Sequence, residues 1–120
     1  MRAISMIIPA LLLFAAPAFA EDEETCPDAV TTADIVECLT ETYEDWDARL
    51  NTAYRAAIDP LEGERRTQFR DVQRAWIAYR DASCGYYRSG EGTIAAIEGN
   101  SCMVELTRTR AEELEGLGER

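Results

Sequence analysis

Apolar residues recur at Ile35, Leu39, Tyr43, Trp46, Leu50, Tyr54 and Ile58, at spacings of four, four, three, four, four and four. That is the period of a single helical face, and it predicts a helix of about 27 residues, roughly 40 Å long. Thr31 or Thr32 is placed to cap its start, with Asp34 in the first turn. Asp59-Pro60 ends it, because proline disfavours the α conformation in the residue before it. Pro60 is then suited to open a second helix, with Glu62 and Glu64 in its first turn. The second apolar stripe runs through Phe69, Val72, Trp76 and Tyr79 to Cys84. Within it Val72, Trp76, Tyr79 and Ser83 share one face, with Arg74, Arg80 and Asp81 off that face, so Gln73–Cys84 reads as a central helix.

Gly85, Tyr86 and Tyr87, followed by Ser89-Gly90-Glu91-Gly92, predict the end of that helix and a flexible turn. A third helical segment starts near Thr93 and carries Ile94, Ile97, Cys102, Leu106, Leu114 and Leu117. Gly99-Asn100 is expected to weaken or break it locally, giving one helix with a soft point or two short helices, and beyond Thr107 the stripe thins enough to predict a frayed end. Period-two alternation is absent. The pattern specifies an all-α fold: a small elongated bundle of three main helices.

Residues 1–20 stand apart. Met1-Arg2 is a short positive start, the run to Phe19 is apolar, and Ala18-Phe19-Ala20 is an A-x-A site followed by Glu21-Asp22-Glu23-Glu24. This is the pattern of a secretory signal peptide cleaved after Ala20, too short and too abruptly ended for a membrane anchor. The expected product is a periplasmic or secreted domain over 21–120 with no membrane anchor after cleavage. Its four cysteines, Cys26, Cys38, Cys84 and Cys102, read as two disulfides. A zinc site is the weaker use, since the chain has no histidine and no CxxC. Three pairings exist; the local one, 26–38 with 84–102, is favoured, and pairing across the bundle stays open.

Charge changes the picture by its position. Residues 21–48 hold eleven acidic residues and no basic one, while residues 49–120 hold twelve acidic residues and eleven Arg. Without the first twenty residues the net charge is −12, set by 23 acids against eleven Arg. Phosphate would be repelled, which argues against nucleic acid, whereas a cationic protein would be attracted to the acidic first quarter. Solubility of an exported protein is the competing explanation of the same charge.

Catalytic chemistry finds little support. Without histidine there is no Ser-His-Asp or Cys-His arrangement. Carboxylates are plentiful, but Glu37, Glu41, Glu44, Asp45 and Asp47 fall at helical spacing on the polar side of the first stripe, as a solvated face does. No EF-hand spacing or phosphate loop is present, so no metal or cofactor is expected and no enzyme is indicated. Asp47, Asn51, Gln73 and Arg80 border the stripes and suit a structural polar network between helices, ahead of a ligand cluster. Trp46, Trp76, Tyr43, Tyr54 and Tyr79 read as core. Tyr86 and Tyr87, beside Gly85, are the aromatic candidates for a contact surface.

Several of these residues also fall in a known arrangement. Cys38, Asp47-x-x-Leu50-Asn51-x-x-Tyr54, Gln73-Arg74-Ala75-Trp76-x-x-Tyr79-Arg80-Asp81-x-x-Cys84 and Cys102-x-x-Glu105-Leu106-Thr107-x-x-Arg110-x-x-x-Leu114 resemble the LprI N-terminal domain family of small exported bacterial helical domains. That family takes its name from a lipoprotein described as a lysozyme inhibitor. The resemblance implies a non-catalytic inhibitor whose partner is lysozyme or another cationic envelope protein. This chain differs in lacking a lipoprotein cysteine. The residues assigned to partner binding are Glu37, Glu41, Glu44, Asp45, Tyr86 and Tyr87. The alternative is a non-catalytic envelope adaptor that binds another protein; an envelope hydrolase ranks third. Oligomeric state is left open.

Overall fold

A computed structural model describes residues 25–119, so the expected signal peptide over 1–20 and the Glu21–Glu24 run lie outside the described residues. Three helices account for the fold: α1 (Thr32–Ile58), α2 (Gly63–Arg88) and α3 (Ile94–Leu117). At the start of α1 the Asp34 N–H donates to Thr31 Oγ1 (3.1 Å) and the Thr31 N–H donates to Asp34 Oδ2 (3.4 Å). This reciprocal cap satisfies two donors that a helix start leaves without partners. Helix α1 ends at Ile58, as Asp59-Pro60 predicts.

The second boundary differs from expectation. Pro60 lies in the turn between the helices, Glu62 is the N-cap, and α2 opens at Gly63, whose φ of +56° suits glycine. Nor do Gly85, Tyr86 and Tyr87 end α2, which runs on to Arg88. The disulfide from Cys84 to α3 braces this last turn where propensity alone would let it stop.

Cross-helix contacts set the directions. Arg66 Nη1 donates to the Ile58 carbonyl (2.9 Å), Phe69 stacks on Tyr54 with ring centroids 5.7 Å apart, and Arg80 lies over the Tyr43 ring, so α2 runs antiparallel to α1. Cys84–Cys102 and Gln73–Arg110 run α3 antiparallel to α2. Leu50 and Ala53 of α1 share a buried cluster with Ala111 and Leu114, and Arg49 pairs with Glu115, so α3 lies parallel to α1. The N-termini of α1 and α3 and the C-terminus of α2 therefore share one end of the bundle.

The central helix is α3, a correction to the reading that gave this place to Gln73–Cys84: the backbone of α3 packs closely on both other helices, whereas α1 and α2 meet mainly through long side chains. Its buried residues are Ala95, Gly99, Val104, Thr107, Arg110, Ala111 and Leu114. At 3.6 residues per turn these sweep roughly half its circumference, enough to face two neighbours. Helix α3 is continuous through Gly99-Asn100, and its C-terminal half is anchored, with Ala111 and Leu114 buried. The first finding decides for one helix over two short ones, the second overturns the expected fraying, and packing supplies the reason in each case.

Gly99 is required by that packing. A Cβ there would stand 3.0 Å from Arg88 Cβ and 3.3 Å from Arg88 Cα. Gly99→Val is expected to cost about 2 kcal/mol by overpacking. Gly116→Ala, with nothing within 4 Å of its added methyl, should instead stabilise by about 0.5 kcal/mol through helix propensity. Urea titrations giving both variants the same sign would contradict the close α2–α3 approach.

Both disulfides take the local pairing, Cys26–Cys38 and Cys84–Cys102, with Cα separations of 6.0 and 5.4 Å. Such bonds persist in oxidising, extracytoplasmic compartments. The first straps Thr25–Ala29 to α1. The second closes a loop of about 19 residues, a constraint of roughly 3 kcal/mol in the chain-entropy view. No helix among the described residues is long and apolar enough to cross a membrane.

Candidate partner-binding surface

The polar border residues of α1 and α2 do form a network, with its α2 members buried and its α1 members, Asp47 and Asn51, at the margin. Arg80 and Gln73 are almost fully enclosed. Arg80 Nε donates to Asp81 Oδ1 (3.0 Å), its Nη1 donates to Thr107 Oγ1 (3.4 Å) and lies 3.9 Å from Asp47 Oδ1. Its guanidinium is 5.1 Å from the Trp76 ring centroid and 5.7 Å from that of Tyr43. Arg110 Nε donates to Gln73 Oε1 (3.0 Å), and Asn51 donates to Asp47 Oδ2 (3.3 Å). All three helices meet here. Gln73, Arg80, Thr107 and Arg110, its buried members, each have a protein partner, so the cluster is occupied with holding the helices in register. Sequence periodicity did not place Thr107 and Arg110 in it, because both sit where an apolar stripe was sought.

The acidic candidates are all exposed. Glu37, Glu41 and Glu44 follow one flank of α1 at i, i+4 and i+7, with Asp45 beside them. Glu37 and Glu41 also line a shallow cleft of about 290 Å3 with Asp28, Asp34 and the Cys26–Cys38 strap. Tyr86 and Tyr87 meet edge to face, 5.5 Å between centroids, and are 76% and 45% exposed. The helix directions put these tyrosines at the same end of the bundle as the acidic flank, though on a different helix. Sequence reasoning therefore found two halves of one end without the geometry that relates them.

It also misplaced part of that surface. Val72 and Tyr79, assigned to the core, are 55% and 61% exposed. Trp46, Trp76, Tyr43 and Tyr54 are half-buried. Because α2 continues through Gly85, Tyr79, Ser83 and Tyr87 line up at four-residue spacing and form one wall of a groove of about 420 Å3. Glu98 and Glu105 stand on the α3 wall. The signal for this stripe was the spacing itself, hidden by the expected helix end at Gly85.

On the α1–α3 seam, Arg49 shows the chemistry such surfaces use. Its Nε and Nη2 donate to the two oxygens of Glu115 (3.0 and 2.8 Å) while its guanidinium sits 4.3 Å from the Trp46 centroid. The hydrogen bond from Arg49 holds the Glu115 carboxyl below its ordinary range, and the same bond raises Arg49. The stabilisation this gives is present above the unfolded-state carboxylate pKa and is lost as pH falls; solvent screening keeps it small.

Among the described residues no group of three or more His, Cys, Asp or Glu could hold a metal ion, and all four cysteines are oxidised in disulfides. What the surface offers is carboxylates and aromatic faces, a combination that receives cations.

The family model described as "Lysozyme inhibitor LprI" matches residues 23–114. The chain is 32% identical to an uncharacterised protein, R02472, of Rhizobium meliloti (strain 1021), over 99% of this chain and 97% of that one. It is 30% identical to the uncharacterised protein YecT of Escherichia coli (strain K12), over 68% of this chain and 60% of that longer protein. No solved structure matches. With the family model spanning most of its length, the chain belongs to the LprI family.

Proposed function

We propose that this protein is an exported lysozyme inhibitor that binds a cationic lysozyme through the acidic end of its bundle. The observation that carries the reading is the eleven acidic residues, with no basic one, in residues 21–48. Of these, Glu37, Glu41, Glu44 and Asp45 stand exposed on one part of α1, at the end where Tyr86 and Tyr87 project. The family's description as a lysozyme inhibitor supplies the partner. In this reading the signal peptide is removed after Ala20, and the protein works outside the cytoplasm, where its two disulfides persist. The acidic flank draws the cationic enzyme in, exposed aromatics hold it, and inhibition follows from occupying the enzyme without any covalent step.

Turbidity clearance of peptidoglycan by lysozyme should slow in a molar excess of the purified protein. The effect should persist near 0.15 M salt, where exposed charges more than about 8 Å apart are largely screened. Inhibition confined to low salt would reduce the interaction to nonspecific attraction, and no inhibition at low salt would end the proposal. Replacing Glu37, Glu41, Glu44 and Asp45 together by their amides should lower the association rate by about tenfold at low salt while leaving dissociation nearly unchanged, the signature of steering charges.

A further inference from the structure

The groove between α2 and α3 has one element of recognition in place and another missing. Tyr79 and Tyr87 present aromatic surface on the α2 wall; Glu98 and Glu105 are exposed opposite them, with Ile97 and Leu106 adding apolar contact. Among the described residues neither Glu98 nor Glu105 forms an ion pair, and no guanidinium lies over Tyr79 or Tyr87. Arg88, close by in sequence, donates instead to Asn100 Oδ1 (3.2 Å) and packs against Gly99. Elsewhere the molecule completes the same arrangement: Arg49 bridges Trp46 and Glu115, and Arg80 bridges Trp76 and Asp81. The groove thus has the aromatic face and the carboxylate without the cation. Its floor is steadied by Cys102 of the Cys84–Cys102 disulfide, so both walls are held in position before anything binds.

We infer that this groove is the anchoring site for an arginine side chain of a cationic protein partner. The guanidinium lies over Tyr79 or Tyr87 and pairs with Glu98 or Glu105. Arginine fits better than lysine, because its planar group both stacks on a ring and donates two parallel hydrogen bonds to a carboxylate. The exposed apolar run along α2, with Val72 below the groove and Tyr86 beside it, extends the contact area around the anchor. The inference rests on the lysozyme reading for the partner's identity. It adds a second surface to that reading: the α1 flank speeds the encounter, and the α2–α3 groove sets how long the complex lasts.

Two measurements separate the failure of one claim from the failure of the other. In the first, lysozyme binding kinetics are compared for the wild type, Tyr79→Ala with Tyr87→Ala, Glu98→Gln with Glu105→Gln, and the four-amide α1 variant. Each groove pair should speed dissociation by about threefold, its share of the roughly tenfold that a cation–π contact and an exposed ion pair supply together, and the α1 variant should not. All four groove positions are exposed, so circular dichroism should show unchanged helix content. Wild-type inhibition with unaltered dissociation in both groove pairs overturns the groove and leaves the lysozyme reading standing. In the second measurement, amide NMR follows the wild-type protein during titration with N-acetyl-arginine amide, and separately with N-acetyl-lysine amide. Shifts centred on Tyr79, Ser83, Glu98 and Glu105, larger with arginine, support the groove even if lysozyme proves not to be the partner. Shifts absent there, or confined to the Glu37–Asp45 flank, overturn it.

Discussion

Arg80→Ala is expected to lower the unfolding free energy by about 3 kcal/mol, because it removes a side chain that joins all three helices. With total stabilities of about 5–15 kcal/mol for small domains, such a loss is a large fraction of the whole. The melting temperature should fall by about 15 °C for a domain of this size. The origin of the loss can be dissected. Asp47 and Asp81 are partly exposed, with 37% and 57% side-chain exposure, so solvent can take over their charges when the guanidinium goes. Thr107 is fully buried and loses its Arg80 donor, while Trp76 and Tyr43 lose the planar group lying over them. Packing and one buried hydrogen bond should therefore dominate over the ion pairs. Arg80→Met, which keeps most of the volume, should cost only about 1 kcal/mol. Thermal and urea unfolding of the two variants checks this. Equal losses in both would shift the weight to the charges, and a loss below about 1 kcal/mol in Arg80→Ala would remove Arg80 from its bridging role.

Leu114→Ala should cost about 3 kcal/mol, since Leu114 is 1% exposed within the cluster of Leu50, Ala53 and Ala111 and its truncation leaves a cavity that rigid helices fill only in part. A frayed helix end would give a different answer, because an exposed Leu→Ala change stays within about 0.5 kcal/mol. Leu117→Ala, at 37% exposure one turn later, is the internal control and should stay near that smaller value. Hydrogen exchange offers a second view: amides of residues 111–114 should open only with global unfolding. Fast exchange there, with a small Leu114→Ala effect, would mean that α3 is not docked at its C-terminal half.

The candidate surface follows from the same architecture. A bundle that buries arginines in its interior and leaves tyrosines outside reverses the usual placement of these two residue types. Arg80 and Arg110 are enclosed because Asp47, Asp81, Thr107, Gln73 and Glu113 meet their donors. Tyr79 and Tyr86 stand in solvent because neither α1 nor α3 covers that flank of α2. Exposed aromatic residues in such a setting mark a contact surface, and the occupant proposed above is a cationic partner.

Helix α1 was legible residue by residue. It packs on one side only, so its apolar stripe, its Thr31 cap and its Asp59-Pro60 stop are all local signals, readable without knowing what lies opposite. The cysteine count, the helical class and the acidic first quarter were legible for the same reason. Helix α3 was not. Its buried arc faces two neighbours and is built from Ala95, Gly99, Thr107, Arg110 and Ala111, small and polar residues that form no hydrophobic stripe. The exchange of Tyr79 for Arg80 as the enclosed residue of α2 has a related cause. A tyrosine is buried where apolar surface faces it, and an arginine where acceptors and aromatic rings do; for Arg80 those partners lie on α1 and α3, as far as 27 and 37 residues away in sequence. Local chemistry along the chain therefore dictated that there would be three helices, two disulfides and one acidic end. Which side of each helix is enclosed, and hence where the aromatic groove opens, depended on contacts between distant residues, because the cost of burying a polar group is set by the partner it meets there.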